Sequence, residues 1–148
     1  MLYQNKIVPE LKKKFLKLIG NYRKIEYQKA LKFLKECDSI LDVGCGRGRF
    51  LELLNKNKKK EIVGIDLNPD LIKICLEKRL DVHFGDALNI PFEESRFDGV
   101  YCSHLMHVFA PSQAFTLLKE LIRVVKPNGI IAITTVPMYS RLFSIPQT

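Results

Sequence analysis

Several things are missing from this 148-residue chain, and each absence narrows what it can be. No apolar run reaches the ~20 residues that a membrane-spanning helix needs. The opening Met1-Leu2-Tyr3-Gln4-Asn5-Lys6 lacks the charged-then-apolar order of a secretory signal, so a cytoplasmic address is the default expectation. None of Cys37, Cys45, Cys75 and Cys102 forms a C-x-x-C pair, which leaves small buried or half-buried thiols in a reducing compartment as the ordinary reading. Internal repeats and low-complexity linkers are absent too. Acidic side chains are scarce at one end only. Residues 1–36 carry ten Lys/Arg against three Glu, whereas residues 37–148 carry fourteen against thirteen. The net charge of +8 therefore belongs to the N-terminal segment. A basic face of this kind attracts RNA or an anionic surface, and it is equally what a solvated helix in a lysine-rich chain looks like.

What is present describes a single globular domain. Hydrophobic residues make up 47% and charged residues 27%, and a chain of this length buries a sizeable core. Residues 9–19 read as an amphipathic helix, with Pro9 at its start and Gly20 at its stop, and residues 22–36 as a second helix. From there strands and helices alternate. Ser39–Val43 is a short apolar strand. Phe50 to Leu54 begins a helix, and Glu61–Asp66 is a second strand. Asn68-Pro69-Asp70 starts a helix that runs to about Arg79. Asp81–Phe84, Phe97–Cys102 and Ile130–Thr135 are strands three to five. A helix from Pro111 or Ser112 precedes the last of them and is stopped by the turn Lys126-Pro127-Asn128-Gly129. The alternation predicts an α/β fold, a three-layer sandwich around a mainly parallel five-stranded sheet. Ligands of such sheets lie at the C-terminal ends of the strands, so the residues after each strand are the ones to weigh.

The central stretch is Ile40-Leu41-Asp42-Val43-Gly44-Cys45-Gly46-Arg47-Gly48-Arg49-Phe50. A buried strand turns sharply there on glycines, which admit positive φ and close approach of a ligand to the backbone. The dinucleotide fingerprint G-x-G-x-x-G is broken, because Arg49 stands where its third glycine belongs, and the phosphate loop with Gly-Lys-Ser/Thr is absent. A Tyr-x-x-x-Lys pair is also lacking. These gaps argue against a nucleotide-sugar or NAD-type oxidoreductase.

Leu41 to Gly48 instead resembles the first motif of the class I, Rossmann-like S-adenosylmethionine-dependent methyltransferases, the type 11 group in particular. Gly64-Ile65-Asp66-Leu67-Asn68, Gly85-Asp86-Ala87-Leu88-Asn89-Ile90-Pro91-Phe92, Phe97-Asp98-Gly99-Val100 and Leu121-to-Gly129 resemble the motifs that follow it. Asn128 departs from the glycine usual after that proline. The resemblance covers about residues 38–136. It implies strand order 3-2-1-4-5, with residues 1–37 as basic helices packed on a core of 38–136 and 137–148 as a short tail. It further implies S-adenosylmethionine as cofactor and roles at matching positions. The backbone of Gly44, Cys45 and Gly46 would line the methionine part, and Asp42 would act on the amino group. Asp66 would hold the ribose hydroxyls and Leu67 would lie against the adenine. Asp86 and Ala87 would meet the adenine edge, and Ser103 would give a backbone contact to the amino group. The cofactor carries a sulfonium and an ammonium, so acids at three strand ends suit it, although each acid taken alone could simply cap a turn.

On the acceptor side the segment Tyr101-Cys102-Ser103-His104-Leu105-Met106-His107 holds the candidates. His104 lies where a side chain could face substrate, and His107 fits a loop-supporting position. Either could equally be a structural imidazole, and no catalytic residue is assigned. A metal site of Cys102, His104 and His107 is disfavoured, because the three ligands crowd into six residues. No Asn-Pro-Pro-Tyr-like signature for base amino groups is present, nor a cysteine pair for pyrimidine carbon-5. The acceptor is expected to be a small molecule, with RNA as the alternative. The family's sixth and seventh strands have no counterpart in Val136–Thr148, which leaves the fifth strand as an apolar edge. A cofactor-binding but inactive subunit or fragment, pairing with another chain or a second copy through that edge, is therefore the competing expectation.

Overall fold

The computed structural model describes residues 4–56 and 60–135, with side chains in the first helix described at Lys13, Lys17 and from Gly20 onward. The elements are α1 (Gln4–Leu34), β1 (Ser39–Val43), α2 (Arg49–Leu54), β2 (Glu61–Asp66), α3 (Pro69–Glu77), β3 (Val82–Phe84), β4 (Phe97–Ser103), a 3₁₀ turn (Met106–Val108), α4 (Pro111–Val124) and β5 (Val125–Thr134). The five strands form one sheet in the order β3-β2-β1-β4-β5, every pairing parallel. This is the α/β architecture with the strand order expected above.

Side chains alternate across the sheet, so each face has its own core. On one face Ile40 and Tyr101 pack with Ala30, Leu34, Phe50, Leu51 and Cys75 from α1, α2 and α3. On the other, Leu41, Val43, Val100 and Cys102 pack with Leu117, Leu121 and Val124 of α4. All five residues of β1 are buried, as a central parallel strand covered on both faces requires. The reversal of strand order beside β1 opens a crevice above the C-terminal ends of β1 and β4, where the site lies.

Two local expectations are corrected. The helices expected over 9–19 and 22–36 are one continuous helix, α1, which passes through Pro9 and Gly20. Gly20 has open space around it and no partner that would turn the chain there, so its cost of about 1 kcal/mol in a helix does not end the element. The turn at Lys126–Gly129 lies inside β5, not before it. Val125 already pairs with Phe97, and regular pairing resumes at Ile130 opposite Gly99, so the four residues between bulge outward. Asn128 takes φ 63° at this bulge, and a Cβ on Gly129 would stand 2.8 Å from the Asp98 carbonyl oxygen. Residues 137–148 lie outside the described residues, and among the described residues no strand flanks β5 on its outer edge.

Candidate active site

The turn after β1 shapes the site. Gly44, Gly46 and Gly48 all have left-handed backbones, with φ of 73°, 56° and 72°, which side chains with a Cβ rarely adopt. The hydrogen bonds of this turn decide what it can hold. The N–H groups of Gly44 and Cys45 both donate to the Ile65 carbonyl at 2.9 Å. The Gly46 N–H donates to Asp66 Oδ2 at 2.8 Å, and the Gly48 N–H to the Cys45 carbonyl at 2.9 Å. Phosphate-binding loops aim such N–H groups at the ligand, whereas this turn uses them internally. The N–H groups of Gly44, Cys45, Gly46 and Gly48 are therefore not free to hold a phosphate.

A cavity of about 390 Å³ opens over the turn. Gly44, Cys45 and Gly46 form its floor, Ser103 and His104 its β4 wall, and Arg47, Arg49 and Leu71 much of its rim. A Cβ on Gly46 would touch nothing within 4 Å, so that glycine faces open space, whereas one on Gly44 would stand 3.2 Å from Leu105. Arg23 and Tyr27 of α1 close the remaining side. Sequence reasoning did not pick out these α1 residues. Their signal was the spacing of Arg23, Tyr27, Ala30 and Leu34 along one helical face.

The acids behave differently from one another. Asp42 is buried beneath the turn. Burial first, and the nearby Asp66 charge second, push its carboxyl up to about 8. Asp66, half-buried at the end of β2, accepts from Gly46 on one oxygen and from the Asn68 N–H at 2.9 Å on the other. Each carboxylate oxygen keeps a further lone pair for a ligand hydroxyl. Asp86 is exposed after β3, with Oδ1 accepting from the Leu88 N–H at 2.9 Å. Leu67 is exposed, while Ala87 is buried. Thus Gly44, Cys45, Gly46 and Ser103 line the cavity, Asp42 and Asp66 lie under or beside its floor, and Leu67, Asp86 and Ala87 do not line it.

Past β4, the Ser103 Oγ accepts from the Thr134 hydroxyl at 2.8 Å. His104 has φ 54°, donates its N–H to the Thr134 carbonyl at 2.8 Å, and sets its Nε2 2.8 Å from Glu26 Oε2 of α1. His107 is exposed on the 3₁₀ turn, its ring centre 6.0 Å from that of His104. Cys102 is fully buried in the α4-side core. Burial pushes its thiol up to about 12 and raises that of Cys45 as well, so neither is a ready nucleophile.

The arrangement fits S-adenosylmethionine by its charges: Asp42 and Asp66 at adjacent strand ends suit the ammonium and the ribose hydroxyls, and Arg23, Arg47 and Arg49 along the cavity suit the carboxylate. Comparison with known proteins agrees. The family described as "Methyltransferase domain" matches residues 40–129. A tRNA (carboxymethyluridine(34)-5-O)-methyltransferase of Arabidopsis thaliana is 33% identical over 141 residues, covering 87% of this chain and 34% of that protein. An uncharacterized methyltransferase-like protein of Schizosaccharomyces pombe is 32% identical over 120 residues, covering 76% of this chain and 46% of its own length. This chain thus spans between a third and a half of these relatives. Among solved structures, a SAM dependent methyltransferase from Archaeoglobus fulgidus superposes with a TM-score of 0.67 at 30% identity, over 82% of this chain and 57% of that one. The strand order, the glycine turn and the match over residues 40–129 place the chain in the class I S-adenosylmethionine-dependent methyltransferase family, whose methyl donor is S-adenosylmethionine.

Proposed function

We propose that this chain binds S-adenosylmethionine over the Gly44–Gly48 turn and transfers its methyl group to an acceptor entering between α1 and the end of β4. The observation that carries this reading is the turn itself. The N–H groups of Gly44, Cys45, Gly46 and Gly48 are internally bonded, while Asp42 and Asp66 stand at the strand ends beside an open cavity. When bound, the cofactor supplies an electrophilic methyl group on a positively charged sulfur. Gly44, Cys45 and Gly46 would cradle its methionine part, with Asp42 and the Ser103 backbone toward the ammonium. Asp66 would take the ribose hydroxyls, and Leu67, Asp86 and Ala87 the adenine. Much of the acceleration would come from holding the two reactants in line. Calorimetric titration with S-adenosylmethionine and S-adenosylhomocysteine tests this, and failure of both to bind at submillimolar concentration would sink it.

For the acceptor, the tRNA methyltransferase activity of the Arabidopsis relative favours tRNA over a small molecule. The exposed cations Lys13, Lys17, Arg23, Lys24, Lys29 and Lys32 of α1 support the same choice, because that helix also forms a wall of the cavity. Transfer of labelled methyl groups to tRNA, protein and small-molecule fractions distinguishes the classes. A second reading, a cofactor-binding subunit that pairs through β5, is favoured by the groove between Phe33 of α1 and Ile130–Thr134. A cytoplasmic address belongs to the proposal as well, and the four buried free thiols fit a reducing compartment.

A further inference from the structure

We propose that Glu26 and His104 form a proton-accepting dyad on the acceptor side of the cavity, so that the group methylated is protic, a hydroxyl or an N–H, unlike the carboxymethyl oxygen named for the Arabidopsis relative. This rests on the methyltransferase reading and adds a catalytic residue to it. Glu26 lies in α1, outside the segment that matches the family, and its carboxylate is only 9% exposed. A buried acid calls for a partner, and His104 Nε2 supplies it at 2.8 Å. His104 in turn lines the cavity beside Gly44 and Ser103.

Two features set this pair apart from a simple tie between helix and sheet. The backbone of His104 is left-handed at φ 54°, and its N–H is pinned to the Thr134 carbonyl at 2.8 Å. Strain of this kind persists where the surroundings over-determine it, and it clusters at active sites. The second feature is the ring. In the Nε2–H tautomer the ring donates to Glu26 and keeps a lone pair on Nδ1, and among the described residues no hydrogen bond engages that atom. This is the arrangement of a base oriented by a carboxylate. In the step, Nδ1 takes the acceptor's proton as the acceptor's electron pair bonds to the methyl carbon. The carbon–sulfur bond breaks with its pair going to sulfur, and the imidazolium then returns its proton to water. His104 is the catalytic residue and Glu26 the positioning one.

Two measurements test this. Histidine-selective ¹⁵N NMR of the full chain, with S-adenosylhomocysteine present, should show His104 as the Nε2–H tautomer, and Glu26→Gln should convert it to a mixture of tautomers. An Nδ1–H tautomer in the unaltered chain overturns the dyad. The second uses His104→Gln, whose amide can still donate to Glu26 and keep the tie. It should retain S-adenosylhomocysteine binding yet lose on the order of 10²–10³-fold in methyl transfer to the tRNA or small-molecule fraction. The methyl label should also survive mild alkali. Transfer at the unaltered rate, or an alkali-labile ester marking a carboxylate acceptor, overturns the proposal. Absence of transfer to every fraction also overturns it. Failure of S-adenosylhomocysteine to bind removes the methyltransferase reading separately.

Discussion

The two ends of one sheet treat their carboxylates in opposite ways. At the N-terminal end, Asp98 accepts from the Ser39 N–H and hydroxyl at 2.9 Å each and from the Lys126 ammonium at 2.8 Å. These bonds, the one to Lys126 foremost, hold its carboxyl down at about 2. At the C-terminal end, Asp42 is buried beneath the glycine turn and pushed up to about 8. One acid is matched by donors from its own chain and fastens β1 to β4 and β5. The other sits where the chain provides burial and a second acid, which is a stable arrangement only for a proton or a bound cation. A closed end builds the sheet, and an open end holds charge chemistry in reserve for a ligand.

The largest break in this contrast is expected from Asp98→Ala. It leaves the Ser39 N–H and hydroxyl and the Lys126 ammonium without their acceptor, and should lower unfolding free energy by about 3 kcal/mol. Urea denaturation checks this, with S-adenosylhomocysteine affinity left near its original value. Asp66→Ala should act on the other end. Loss of a charge-assisted pair of hydrogen bonds should weaken cofactor-product affinity by about 1–3 kcal/mol in calorimetry.

Asp42→Asn sharpens the comparison through pH. The folded-state carboxyl lies above the ordinary value of 3.8, so its contribution to stability is fully present below about pH 4 and is lost as pH rises toward 8. Asp98 runs the other way, its contribution being present above about pH 4 and lost as pH falls toward 2. The Asn variant should therefore gain on the order of 2 kcal/mol at pH 8 and little at pH 5, read from urea midpoints at both. A bound ammonium would favour the ionised form of Asp42, so binding near pH 7 should release a proton, measurable by calorimetry in buffers of different ionisation enthalpy. The smallest effect belongs to the sheet's outer edge. Ile133→Lys on β5, where Ile133 is 37% exposed, should change stability by less than about 0.5 kcal/mol. Light scattering should give a monomer mass before and after, and a dimer dissociated by the substitution would favour the pairing reading.

Much of the molecule was legible in its residues. Ile40-Leu41-Asp42-Val43 could only be a strand covered on both faces, and Asn68 caps α3 as its type predicts, accepting from the Asp70 N–H at 2.9 Å. Local rules failed at Gly20, where helix formers on both sides carry α1 through, and at Lys126–Gly129, where strand pairing begins before the expected turn. The α1 wall was not legible at all. Arg23, Glu26 and Tyr27 are ordinary on a basic helix until the fold sets them over the cavity, because their meaning lies in contacts far along the chain, such as Glu26 with His104.

By itself the sequence determined the alternation of elements, the parallel sheet, the glycine turn and the acids at successive strand ends. These follow from periodicity, turn chemistry and residue type, all of them local. Only the tertiary structure decided that the turn's glycine N–H groups are internally bonded, that Asp42 is buried while Asp66 stays half-open, and that α1 closes the cavity with Arg23 and Tyr27 and meets His104 with Glu26. Those properties depend on burial and on the meeting of distant segments, and no local pattern specifies either.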